Sequence, residues 1–142
     1  MNSIGKRRLL KLANFLDTVP VRKFDMDYFV IKNNQPDKIL PLKDCGTVAC
    51  ALGYAATCIP EFQRAGLTVE PRDNGWPLYD KNGNYEIGYE AGEVFFNLNG
   101  DESKELFDPF YYREGHKGPR SVARKIRALV KKYENQKRKV SS

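Results

Sequence analysis

The sequence predicts a mainly helical α+β fold, a single domain around a buried, uncharged central helix with a small β-hairpin or sheet beside it. Three observations predict it. Residues 47–59 carry no charged side chain, so they belong in a core rather than on a surface. Apolar residues recur at helical spacing near both ends of the chain, at Leu9, Leu12, Ala13 and Leu16, and again at Val122, Ile126, Leu129, Val130 and Tyr133. Between these ends lies Asn82-Gly83, a hairpin-turn signal flanked by short apolar runs. A chain of 142 residues has the length of one domain and buries about two-thirds of its unfolded surface, so its fold requires neither metal nor disulfide. Residues 1–134 are assigned to the domain and 135–142 to a frayed basic tail.

Each element has its own signal. Residues 3–16 form the first helix, with Ser3 as its cap and Pro20 closing it. Lys6, Arg7, Arg8 and Lys11 crowd its start, where the helix dipole disfavours cations; an acidic neighbour, a bound anion or plain solvation would answer that charge. Residues 24–31 end aromatic and β-branched, as a short strand does, and 33–37 read as a loop. Residues 47–59 form the central helix, on which Ala49, Gly53 and Ala56 make a stripe small enough for a close backbone neighbour. Pro60 opens a short helix over 61–65 that Gly66 terminates.

Residues 67–70 are strand-like, and 76–79 and 85–87 flank the hairpin turn. Short helices follow over 90–98 and 102–107, the second capped by Asp101. Pro119 starts the last helix, which runs from 121 to about 137. The first and last helices are expected to pack the central one. The expected core comprises Leu9, Leu12, Leu16, Val48, Leu52, Ala55, Phe95, Leu106, Ile126, Leu129 and Val130.

Composition narrows the function classes. With 41% hydrophobic and 30% charged residues the chain is neither wholly disordered nor fibrous. Three cysteines are too few for a disulfide scaffold, no apolar run reaches the length of a membrane span, and residues 1–8 lack a signal-peptide pattern. These features point to a reducing, cytoplasmic setting with no membrane partner. No G-x-x-x-x-G-K or G-x-G-x-x-G phosphate loop occurs, and no cofactor is implied.

The formal net charge of +6 conceals an asymmetry: residues 1–60 carry +4, residues 61–110 carry −7 and residues 111–142 carry +9. Either the ends fold back to neutralise the acidic middle, or the basic end presents charge to a polyanion.

The most distinctive string is Asp44-Cys45-Gly46-Thr47-Val48-Ala49-Cys50-Ala51. A cysteine at a helix start faces free N–H groups and the positive dipole end, which together favour a thiolate. The string resembles the nucleophile segments of SUMO-type, adenovirus-type, bacteriocin-processing and, more loosely, papain-like cysteine peptidases. That resemblance implies Cys45 as nucleophile and His116, the only histidine, as base in the papain-like order of cysteine before histidine. Read from the residues alone, Cys45, Cys50 and Cys58 are equally small core side chains. A zinc set of these cysteines with His116 lacks the paired knuckle spacing such sites use.

A longer pattern joins Phe24-Asp25-Met26, residues 45–55, Ile59-Pro60-Glu61-Phe62, Gly66-Leu67, Phe95-Phe96-x-Leu98, Leu106-Phe107-x-Pro109 and Val122-Ala123-x-x-Ile126. It resembles a family of small uncharacterised phage and bacterial proteins and implies a stand-alone domain without naming a reaction. Members of that family often carry histidine where this chain has Tyr54.

On the last helix, Arg120, Arg124, Arg127 and Lys131 form a stripe opposite the apolar one, about 16 Å long, with Lys125 and Lys132 widening it. Lys137-Arg138-Lys139 extend it, and Phe110-Tyr111-Tyr112 precede it as side chains able to stack on bases where exposed. These features favour a non-enzymatic protein that binds a polyanion, either nucleic acid or a nucleotide-like ligand, through this helix. The alternatives are a cysteine-dependent amide or ester hydrolase using Cys45 and His116, and a protein–protein adaptor or inhibitor whose acidic middle docks on a host or partner protein.

Overall fold

The computed structural model describes residues 1–27, 30–31, 48–69 and 76–141. Among them are six α-helices and two small antiparallel sheets, a mainly helical α+β domain. Helix α1 spans Ser3–Leu16 and buries Leu9, Leu12, Ala13 and Leu16, the stripe its spacing predicts. Its cap is Asn2 rather than Ser3: the Asn2 side chain accepts from the Gly5 N–H at 2.8 Å. Asn2 N in turn donates to Asn97 Oδ1 at 2.6 Å, which fastens the helix start to a distant turn.

The uncharged segment is shorter as a helix than its composition predicts. Helix α2 spans Ala51–Cys58, with Cys50 as its N-cap residue. Strand β1 (Val30–Ile31) pairs antiparallel with β2 (Val48–Ala49), so 48–49 are extended rather than helical. Of the strand expected over 24–31, residues 28–29 lie outside the described residues and Val30–Ile31 is strand; Phe24 makes an isolated bridge to Ala49, and the Asp25 N–H donates to the Ala49 carbonyl at 3.1 Å. These backbone partners compete successfully for the residues just before the helix, and lack of charge cannot distinguish a buried strand from a buried helix.

Helix α3 (Pro60–Arg64) follows, and Gly66 takes the positive φ of 105° that ends it. Strands β3 (Leu67–Val69), β4 (Pro77–Lys81) and β5 (Asn84–Ile87) form an antiparallel meander. Asn82 and Gly83 have φ of 55° and 89°, the two left-handed residues of a type I′ hairpin, and Asp80 Oδ1 accepts from the Gly83 N–H. Helix α4 covers Tyr89–Phe95. Helix α5 covers Gly100–Phe107, capped by Asn99 in a reciprocal box with Glu102, two residues earlier than the expected Asp101 cap.

Helix α6 spans Pro119–Ser141, so the expected frayed tail continues the helix. It packs chiefly along α1, with α5 beside it, rather than on α2 as expected. Helix α2 lies against the β3–β5 sheet, α3 and α1. Val122, Ala123, Ile126 and Val130 share one core with the buried stripe of α1, whereas Leu129 is only half-buried.

The core centre is aromatic. Phe62, Phe95, Phe96 and Tyr79 meet edge to face, with Phe62–Phe95 and Phe95–Phe96 centroids 5.0 Å apart. Arg8 braces this cluster from α1, its guanidinium 4.0 Å from the Phe95 ring and donating to the Phe95 carbonyl at 2.8 Å. Cations at the start of α1 thus find protein partners: Lys6 pairs with Glu134, and Lys11 with Glu61 at 2.7 Å.

Candidate functional site

The outward side of α6 is built by helical periodicity. Its apolar stripe enters the core, so residues half a turn away must face water. Arg120, Arg124, Lys131 and Lys132 are exposed there, with Ala128 among them and Asn135 beyond; Glu134, on the flank toward α1, pairs with Lys6. Arg124 and Lys131 stand about 10 Å apart along the axis.

The six expected basic residues divide into two groups. Among the described residues Arg124 donates to the Ser121 hydroxyl at 3.2 Å, and neither Lys131 nor Lys132 joins an ion pair. Arg127 instead turns toward α1, where it pairs with Asp17 at 2.6 Å and donates to Asn14 Oδ1 at 3.0 Å. Arg127 holds the Asp17 carboxyl below its ordinary range, with Arg120 adding to the effect. Arg120 also donates to the Asp17 carbonyl at 3.4 Å.

Lys125 departs furthest from its expected role. Its ammonium donates to the Tyr111 carbonyl at 2.6 Å and the Glu105 carbonyl at 3.2 Å, and lies 3.9 Å from the Tyr112 ring centroid. Partial burial pushes its pKa down. It is a brace between α6 and the segment before it, and no part of an open basic face.

That segment is a 3-10 turn, Pro109–Tyr111, started by Asp108, whose carboxylate accepts from the Phe110 N–H at 2.9 Å. Phe110 is 94% exposed and Tyr111 50% exposed. Tyr112 points back instead, its hydroxyl donating to the Leu106 carbonyl at 2.7 Å, and burial pushes its pKa up. The three aromatics thus split two outward and one inward. Asp108-Pro109 was the available signal for the turn, but no sequence pattern gives the direction of the rings.

Among the described residues no carboxylate of the acidic middle forms an ion pair with α6. Within 61–110, Glu61 alone among the described residues joins an ion pair, with Lys11 of α1. Besides the Lys125 bond to the Glu105 carbonyl, a hydrogen bond from the Tyr133 hydroxyl to Glu102 at 2.6 Å joins that region to α6 and pushes Tyr133 up to about 12.

The thiol site has a different character. Cys45 lies outside the described residues. Cys50, the residue that does stand at the start of α2, is buried, and burial pushes its thiol up to about 11 despite the opposing helix N–H groups. The helix start therefore holds a protonated thiol. Cys58, at the other end of α2, is also raised by burial. His116 sits exposed in the loop before α6, its N–H donating to the Arg113 carbonyl at 3.0 Å. Its neighbour Lys117 pairs with Glu114 at 3.0 Å and is held charged by Glu114, with Asp27 and Asp25 contributing.

Tyr54 donates its hydroxyl to the Lys23 carbonyl and stacks near Phe24. Burial pushes it up to about 12. Among the described residues no three His, Cys, Asp or Glu side chains stand together as a metal set, and no helix is long and apolar enough to cross a membrane. The chain matches no family model, no curated protein and no solved structure.

Proposed function

We propose that this is a non-enzymatic binding protein of phage or bacterial type that acts in the cytoplasm and engages a polyanion, nucleic acid or a nucleotide-like ligand, through the outward face of α6. One observation carries the reading: Arg124, Lys131 and Lys132 face water, and among the described residues none of them joins an ion pair. Unpaired cations on one rigid face release counterions when they meet phosphates, which favours binding without reading base sequence. Arg120 flanks the face, and Arg127 and Lys125 serve the fold instead. Anisotropy titration of a labelled oligonucleotide at two salt concentrations tests it. Absence of binding at low salt, or binding indifferent to Arg124→Gln with Lys131→Gln, overturns the reading.

The hydrolase alternative has one point in its favour. Lys117, next to His116, feels the charges of Asp25 and Asp27, and the Asp25 N–H donates to the carbonyl of Ala49, two residues before α2. Native alkylation decides it: fast, selective labelling of Cys45 near neutral pH, abolished with activity in Cys45→Ala, would establish a nucleophile.

A further inference from the structure

We infer that the α6 face takes single-stranded rather than duplex nucleic acid, with Phe110 stacking on an unpaired base while Arg124, Lys131 and Lys132 hold the phosphates. The inference rests on the polyanion reading above and deepens it. A phenyl ring 94% exposed to water leaves nearly its whole apolar surface hydrated. The turn that carries it is ordered from three sides. Pro109 fixes the backbone entering it, Asp108 caps the Phe110 N–H at 2.9 Å, and Lys125 ties the Tyr111 carbonyl to α6 at 2.6 Å.

Phe110 is thereby held outward, within one lysine side chain of the helix that bears the basic face. Tyr111, half-exposed beside it, widens the aromatic platform. An exposed aromatic platform anchored on a helix that also carries water-facing cations offers what single strands require: bases stack on a ring and the backbone follows the charge. Every base has a π-face, so such a site accepts many sequences, in keeping with a face that lacks any base-reading motif. A duplex offers its phosphates to the same cations, but its bases are already stacked. Admitting the ring would require unstacking a base step, at a cost in energy.

The test uses the full chain and three fluorescently labelled probes: a dT20 single strand, a duplex of the same length, and heparin. The wild type should bind dT20 more tightly than the duplex at equal salt. Phe110→Ala should weaken dT20 by about 5- to 150-fold while leaving duplex and heparin unchanged. Phe110→Trp, which keeps a stacking face, should restore dT20 binding. Phe110 is almost wholly exposed, so unchanged circular dichroism and Tm are expected for both variants. If duplex and heparin bind through the basic residues but Phe110→Ala leaves dT20 unaffected, the single-strand inference falls and the polyanion reading stands. If none of the three probes binds the wild type at low salt, both fall together.

Discussion

Arg127 and Asp17, 110 residues apart in sequence, form a side-by-side ion pair, with one guanidinium nitrogen 2.6 Å from Asp17 Oδ2 and the other 3.4 Å from Oδ1. The pair closes the last helix onto the end of the first. It removes Arg127 from the outward row and leaves Arg124 and Lys131 as the centre of that row.

The same pair gives a dependence on pH. Arg127 depresses the folded pKa of Asp17 below its unfolded value near 3.9. Its contribution is therefore present above about pH 3.9 and is lost as pH falls through the folded pKa. Both side chains are well exposed, so water and salt screen them, and Asp17→Asn should cost about 0.2–1 kcal/mol at neutral pH. Thermal melts of wild type and Asp17→Asn should differ at pH 7, draw together in strong acid, and draw together again in high salt. A difference that survives in strong acid would show that the two groups do not act as a charged pair.

Gly5 sits where α1 touches the turn after α4. A Cβ there would lie 2.2 Å from the Phe96 carbonyl oxygen, a backbone atom with no freedom to swing away. In an open helix Gly→Ala gains about 1 kcal/mol. Here overpacking, at about 1–3 kcal/mol or more, should win, because α1 must lift from Arg8's contacts with Phe95. Gly100, whose nearest neighbour to such a Cβ is a flexible Glu93 oxygen at 3.7 Å, provides the contrast. Denaturant melts should show Gly5→Ala destabilised and Gly100→Ala neutral or stabilised by about 0.4–1 kcal/mol.

Cys50 sets an alkaline limit. Its folded pKa is about 11, above the unfolded value near 8.5. The stability it contributes is fully present below about pH 8.5 and is lost as pH rises toward 11. Stability of the wild type should therefore fall across that window more steeply than that of Cys50→Ala. Iodoacetamide at pH 7.5 should leave Cys50 unlabelled in the native protein and label it in denaturant. Prompt native labelling would mean that the thiol is reachable and ionised.

How far the sequence reveals this molecule follows from the range over which each signal acts. Leu9, Leu12, Ala13 and Leu16 carry a 3.6-residue period, and Asn82-Gly83 supplies two left-handed residues, so α1 and the hairpin are local facts read from a few neighbours. The start of α2 is not local. Whether 48–49 join a helix or a strand depends on 30–31 and on Asp25, and the same uncharged string suits either. Asp17 and Glu105 likewise enter the candidate site only through the fold, diverting Arg127 and Lys125 from a stripe that a helical wheel draws as uniform. The outward position of Arg124 and Lys131 could be read because it depends only on the apolar stripe opposite.

That division determines how binding should depend on salt. If phosphates meet Arg124, Lys131 and Lys132, log affinity should fall with log salt by about 0.7–0.9 for each phosphate neutralised. Arg124→Gln with Lys131→Gln should flatten the slope by about two contacts' worth, and should do so for all nucleic acid sequences alike. Tm should barely change, since neither side chain joins an ion pair among the described residues. Arg127→Gln should behave in the opposite way, because its charge is committed to Asp17: a small loss of Tm with most of the salt slope retained. Anisotropy titrations at several salt concentrations, run beside thermal melts, separate these patterns. Equal effects of the two substitution sets on slope and on Tm would show that the row is not split between fold and ligand, and that the outward face of α6 has no binding role distinct from its charge.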